Sequence, residues 1–149
     1  MSYNQALTER LSILSTIDPQ SVGTDGASGD VIDMHYHRRV VFILAVGAMT
    51  TNGTVDLGIY GDTASGGSYA TLITGKSITQ LTETGTDDNK QVMIEVTAEE
   101  VAAQGLRYLK PVVTVAAAAS LMCLVALGDF ARYSDGADFD LASVAEIVK

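Results

Sequence analysis

The chain has 149 residues, of which 47% are hydrophobic and 18% charged, enough for one domain with a sizeable core and too apolar for a disordered chain. Nine Lys and Arg against 18 Asp and Glu leave a formal net charge of -9, which repels phosphate backbones and anionic membrane surfaces, so no nucleic acid and no membrane is expected as a partner. Gly is plentiful at 14 residues, Trp is absent and Pro occurs only at Pro19 and Pro111, a profile that favours short strands and turns over a helical bundle.

The polar start Ser2-Tyr3-Asn4-Gln5 lacks the basic-then-apolar order of a signal peptide, and the single Cys123 leaves no intrachain disulfide to form. Synthesis in a reducing cytoplasm is the expectation. Between residues 4 and 17, Leu7, Leu11 and Leu14 recur at spacings of four and three, a helical stripe that Asp18-Pro19 ends. The Gly, Ser, Thr and Asp of Val22 to Gly29 then read as a loop, so residues 1–29 are expected to form an N-terminal arm set apart from the body.

A β-rich body follows over residues 30–133. Val31 to Tyr36 alternates, and Val40 to Val46 is a continuous apolar run that predicts a strand buried on both faces. Asn52-Gly53 predicts a hairpin turn, after which Val55, Leu57 and Ile59 define a strand with one buried face. Gly61 to Ser68 is a loop tip, Tyr69 to Leu81 holds short β pieces around Gly75, and Thr82 to Asn89 is a polar loop. Val92, Ile94 and Val96 alternate as a strand, and Thr97-Ala98-Glu99-Glu100 opens a capped helical turn that Gly105 stops.

From Leu106 to Val115 a strand is interrupted by Pro111, which places it at an edge or a bulge. Val112 to Gly128 carries no charge but is shorter than the usual span of about 20 residues, and four alanines with Ser120 dilute it. It reads as a buried hairpin in which Leu121 to Leu127 returns antiparallel to the preceding strand. Residues 134–149 form an acidic tail, in which Leu141, Val144 and Val148 predict a small C-terminal helix. The fold expected is mainly β, an antiparallel β-sandwich or jelly-roll-like barrel, with a short N-terminal helix or arm and a short C-terminal helix.

Candidate chemistry is sparse. Asp33, His35 and His37 alternate, so on one strand they would share a face and offer two imidazoles and a carboxylate to a metal. A zinc site needs a further ligand and an ordering outer layer, and an exposed polar strand face opposite Ile32, Met34 and Tyr36 is the preferred reading. No metal or cofactor is expected. The loop from Gly61 to Ser68 spaces Gly61 and Gly66 as a phosphate-binding loop does, but Gly67 stands where that motif requires Lys. Ser28 lacks the glycine spacing of a nucleophile elbow, and Cys123 has no cationic neighbour in sequence. Asp87-Asp88-Asn89 lacks the later Gly and Glu of a calcium loop. No catalytic residue is assigned, and the chain reads as non-catalytic.

One resemblance adds to this. Val55 to Asp62 followed by a Gly/Ser loop, Gln91 to Val96, the Arg107-Tyr108 strand running through Pro111 to Val115, and Ala126-Leu127-Gly128-Asp129 resemble the head decoration or cement proteins of tailed bacteriophages and prophages. The likeness covers about residues 31–133. It implies a structural protein of the virion without catalytic residues, a subunit bound to the major capsid protein on the outside of the shell, and a homotrimer or homodimer. Leu7, Leu11 and Leu14 are then the expected capsid or subunit contacts. Other head or tail parts, such as a connector or tube protein, and a ligand-binding adhesion sandwich are the competing readings. Against adhesion stands the lack of Trp, the favoured sugar platform.

Overall fold

The structure, a computed structural model, describes residues 7–131 and 140–148. Among these residues ten strands form two antiparallel sheets: β1 (Leu11–Val22), β2 (Ala27–Ser28), β3 (Ile32–Asp33), β4 (His37–Met49), β5 (Thr54–Asp62), β6 (Thr71–Ser77), β7 (Leu81–Thr82), β8 (Gln91–Thr97), β9 (Tyr108–Ala116) and β10 (Ser120–Ala131). The first sheet runs β1-β10-β4-β8 and the second β2-β9-β5-β6, with β3 also pairing β9 and β7 also pairing β5. The expected β-sandwich is what the chain forms.

The inner faces follow the period of two. Val40, Phe42, Leu44 and Val46 of β4 and Leu124 and Ala126 of β10 are buried, and so are Val55, Leu57 and Ile59 of β5 and Leu109, Val113 and Val115 of β9. Helix α2 (Ala98–Ala103) adds buried Ala98 and Val101. Its capping box is formed as expected: the Glu100 N–H donates to the Thr97 hydroxyl, and the Thr97 N–H donates to the Glu100 carboxylate at 2.9 Å. Outside it, Lys76 reaches from β6 to donate to the Glu95 carbonyl at 2.7 Å, which covers part of the free edge of β8.

The arm is corrected. Among the described residues of the arm only Leu7–Arg10 is helical (α1), and Leu11–Val22 is the edge strand of the first sheet, paired with β10. Register shifts between Ile13 and Ser15 and between Ile17 and Gln20 explain the misreading. The stripe is split: Leu7 lies in α1, Leu11 lines a groove with Leu127 and Leu14 is buried, unpaired at the first bulge, so the spacings of four and three do not mark one helical face. Pro19 sits in the second irregularity of this edge strand, where no ladder hydrogen bond is lost.

Several connections also differ from the sequence reading. The segment expected as one strand over Val31 to Tyr36 is β3 followed by a turn, closed by the Tyr36 N–H on the Asp33 carbonyl, that lifts the chain into the first sheet. The Asn52-Gly53 turn joins β4 to β5 in opposite sheets and is not a hairpin. The charge-free stretch after Val112 likewise crosses over: β9 pairs with β2, β3 and β5, and β10 pairs with β1 and β4. Pro111 lies opposite the break between β2 and β3, with its carbonyl accepting the Gly29 N–H at 3.1 Å. At the C-terminal end a single 3-10 turn, Leu141–Ser143, stands in place of the expected helix. The acidic stretch before Asp140 lies outside the described residues.

Leu14 is 3% exposed and Leu7 is 61% exposed. Leu14→Ala is therefore expected to destabilise the fold by about 2–5 kcal/mol, while Leu7→Ala changes stability by less than about 0.5 kcal/mol, both read from urea denaturation. Equal small losses at the two positions would return Leu14 to a detached arm.

Candidate functional site

The sequence candidates for metal binding gather at one end of the sandwich without forming a ligand set. Asp33 ends β3, His35 lies in the following turn and His37 opens β4 in the opposite sheet. The Asp33 carboxylate accepts two hydrogen bonds from Arg107, one from Nε at 2.9 Å and one from Nη2, and a third from the His35 N–H at 2.9 Å. Among the described residues no group of three His, Cys, Asp or Glu is placed to hold a metal ion. Burial alone would raise the Asp33 carboxyl. The Arg107 hydrogen bonds and charge and the His35 amide outweigh it and hold the group below its ordinary value of 3.8. Arg107 is the residue missed in the sequence; its partner lies 74 positions away, and only the pairing of β3 with β9 brings the two together.

His37 is 1% exposed, and Gly128 of β10 makes room for it: a Cβ there would fall 2.9 Å from the imidazole Nδ1 and 2.6 Å from Leu14. Burial holds the imidazole below its ordinary value of 6.5, against the pull of Asp33.

The glycine loop between β5 and β6 closes on itself. The Asp62 carboxylate accepts the Ala64 N–H at 3.1 Å and the Tyr69 N–H at 3.2 Å, and these amides hold it below its ordinary value. The Tyr69 hydroxyl in turn donates to the Ser65 carbonyl at 2.8 Å, and burial pushes its pKa up to about 12. A Cβ at Gly67 would stand 2.1 Å from the Asp62 carboxyl carbon. The chain's own carboxylate thus occupies the amide cradle that a bound phosphate would need.

The outer face of the first sheet is apolar. Strand pairing sets its rows: Ile13, Leu127, Val41 and Glu95 in one, then Thr16, Val125, Ile43 and Met93, then Cys123, Ala45 and Gln91. Val41, Ile43, Val125 and Leu127 are half-buried by their neighbours, whereas Met93 is 71% and Leu121 49% exposed. The second sheet differs, with Asp56, Tyr60, Lys110 and Thr114 pointing outward. Two ion pairs, Arg10–Asp129 at 3.0 Å and Arg39–Glu95 at 3.8 Å, lie at one end of this face, and at its β1 edge the Asp140 carboxylate accepts the Thr16 hydroxyl at 3.3 Å.

The C-terminal segment borders this face. The Asp140 N–H donates to the Ile13 carbonyl at 2.9 Å on the free edge of β1. Beyond it Val144, Ile147 and Val148 line an open groove of about 640 Å³ with Leu7, Leu11 and Leu127. Of the expected contact residues, Leu14 is thus taken into the protein's own core, while Leu7 and Leu11 lie on this groove. Comparison with protein families, characterised proteins and solved structures finds no match.

Two outcomes are expected from the polar end. Arg107→Ala lowers the urea midpoint, and Arg107→Lys restores less than half of that loss because an ammonium lacks the two-pronged fork. In the unfolded chain His37 takes up a proton more readily than in the fold, so stability falls as the pH drops below 6.5. The urea midpoint should decline between about pH 7 and pH 5, and His37→Gln should flatten that decline. An unchanged slope in the variant would assign the pH response to other groups.

Proposed function

We propose that the protein is a non-catalytic structural subunit of a tailed-phage virion, which binds the major capsid protein on the outside of the shell and stabilises it as a decoration or cement protein. The observation that carries this reading is the outer face of the first sheet, an apolar surface on a strand-built body. Such a face suits contact with another protein, since monomeric proteins seldom expose apolar patches beyond a few hundred Å². The polar constellations support the same reading from the other side. Asp33 is engaged by Arg107 and the His35 amide, and Asp62 by its own loop, so these groups serve the fold. Repetition multiplies weak contacts: one subunit bound at several points of a lattice gains an effective concentration that a single contact lacks. The resemblance of the Arg107-Tyr108 strand and its neighbours to decoration proteins supplies the identity of that lattice.

Particles purified by density gradient from the source phage or an induced prophage should contain the protein in fixed ratio to the shell subunit. Particles made without it should keep normal heads and tails but release their DNA at lower temperature. Recovery of the protein only with detached tails would reassign it to a connector or tube, and recovery only in the soluble fraction would overturn the virion reading.

A further inference from the structure

We infer that Asp140–Val148 is a strap that seats on the open flank of the sandwich and keeps the free edge of β1 from pairing with strands of other chains. The inference stands on the C-terminal segment and does not depend on the virion reading.

Each flank of the sandwich ends in two edge strands, β8 and β6 on one side and β1 and β2 on the other. An edge strand carries a row of unpaired amides and carbonyls, a template for any other strand that meets it. On the first flank Lys76 covers part of the β8 edge by donating to the Glu95 carbonyl. On the second flank β1 is the longer edge, 12 residues against the 7 of β8, and β10 pairs with it on its inner side only.

Asp140 meets this edge twice. Its N–H donates to the Ile13 carbonyl at 2.9 Å, and its carboxylate accepts the Thr16 hydroxyl at 3.3 Å. The same residue holds the following turn folded, since the Ser143 hydroxyl donates to its carbonyl and its carboxylate, each at 2.8 Å. Ala142 and Ser143 of that turn border a shallow groove with Ile17 and Gln20 of β1 and Ala27 and Ser28 of β2, so the strap lies across both edge strands. Val144, Ile147 and Val148 then line the apolar groove with Leu7, Leu11 and Leu127.

This seat is weaker than the sheet beneath it. Ile147 is 52% and Val148 79% exposed, so the apolar end of the strap is only part-buried. Asp18 and Asp30 line the same shallow groove as Asp140, with no Lys, Arg or His among its lining residues, which sets like charges on the strap and on its seat. Pairing of β1 with β10 runs the length of the strand, whereas among the described residues the strap makes one backbone hydrogen bond to β1. The strap therefore opens before the sheet does. Once open, it uncovers the Ile13 carbonyl beside Leu7, Leu11 and Leu127, a hydrogen-bonding edge next to an apolar strip.

Two full-length variants unseat the strap by separate routes. Asp140→Pro removes both the N–H donor and the carboxylate, and Ile147→Asp with Val148→Asp removes the apolar end. In each, hydrogen exchange read by mass spectrometry should rise about tenfold or more over residues 140–148 and over Leu11–Ile17, while β4, β5 and β9 keep wild-type protection. Fluorescence of an apolar dye should rise in parallel, and both variants should form thioflavin-positive assemblies at concentrations where wild type forms none. Wild-type exchange over Leu11–Ile17 in both variants overturns the inference, because the strap then covers nothing. So does faster exchange throughout β4, β5 and β9, which makes the segment part of the core. Variants that expose the edge yet stay as dispersed as wild type overturn the guarding role.

Discussion

A strand that is apolar on both faces has to be covered on both, and that requirement organises the whole molecule. β4 and β10 lie side by side at the centre of the first sheet. Their inward residues meet the inner face of the second sheet, built from Val55, Leu57, Ile59, Leu109, Val113 and Val115, and the two layers exclude water between them. Packed on one side only, the pair still offers Ile43 and Val125 outward. The Asp33–Arg107 pair, the Asp62 loop and the capped helix α2 satisfy their own charges and amides at the margins of this core.

Much of the body is legible in the sequence. The alternation of Val55, Leu57 and Ile59, the alternation of Val92, Ile94 and Val96, and the Thr97–Glu100 capping box each encode an element through neighbouring residues alone. Pairing is harder to read. The Asn52-Gly53 turn and the alanine-rich turn after β9 carry hairpin chemistry, yet both join strands of opposite sheets. A tight turn fixes the local reversal of the chain, and whether the next strand hydrogen-bonds to the last or packs across the core depends on long-range partners. The bulges of β1 defeat periodicity for a related reason, since one inserted residue converts a spacing of two into a spacing of three.

The candidate sites show the same division. Gly67 in the lysine position of a phosphate loop was readable as a mismatch, but the Asp62 carboxylate that fills the amide cradle was not. Asp33, His35 and His37 looked aligned because alternation assumes a continuous strand, whereas a turn separates Asp33 from His37 and places them in different sheets. The continuous run from Val40 to Val46 held more information than any motif. It predicts two buried faces, and the described residues fully bury only one of them.

The position of β10 has a consequence for how the molecule is made. This strand is the last long element of the described chain, yet it lies between β1 and β4, with no direct pairing between those two. Until β10 leaves the ribosome, the first strand has no neighbour in its sheet and the core is open along one side. Folding must therefore close loops of more than a hundred residues, as between Leu11 and Asp129, which makes it a slow process. Until then its apolar strands wait unpaired, and the acidic charge of the chain keeps such molecules apart while they wait.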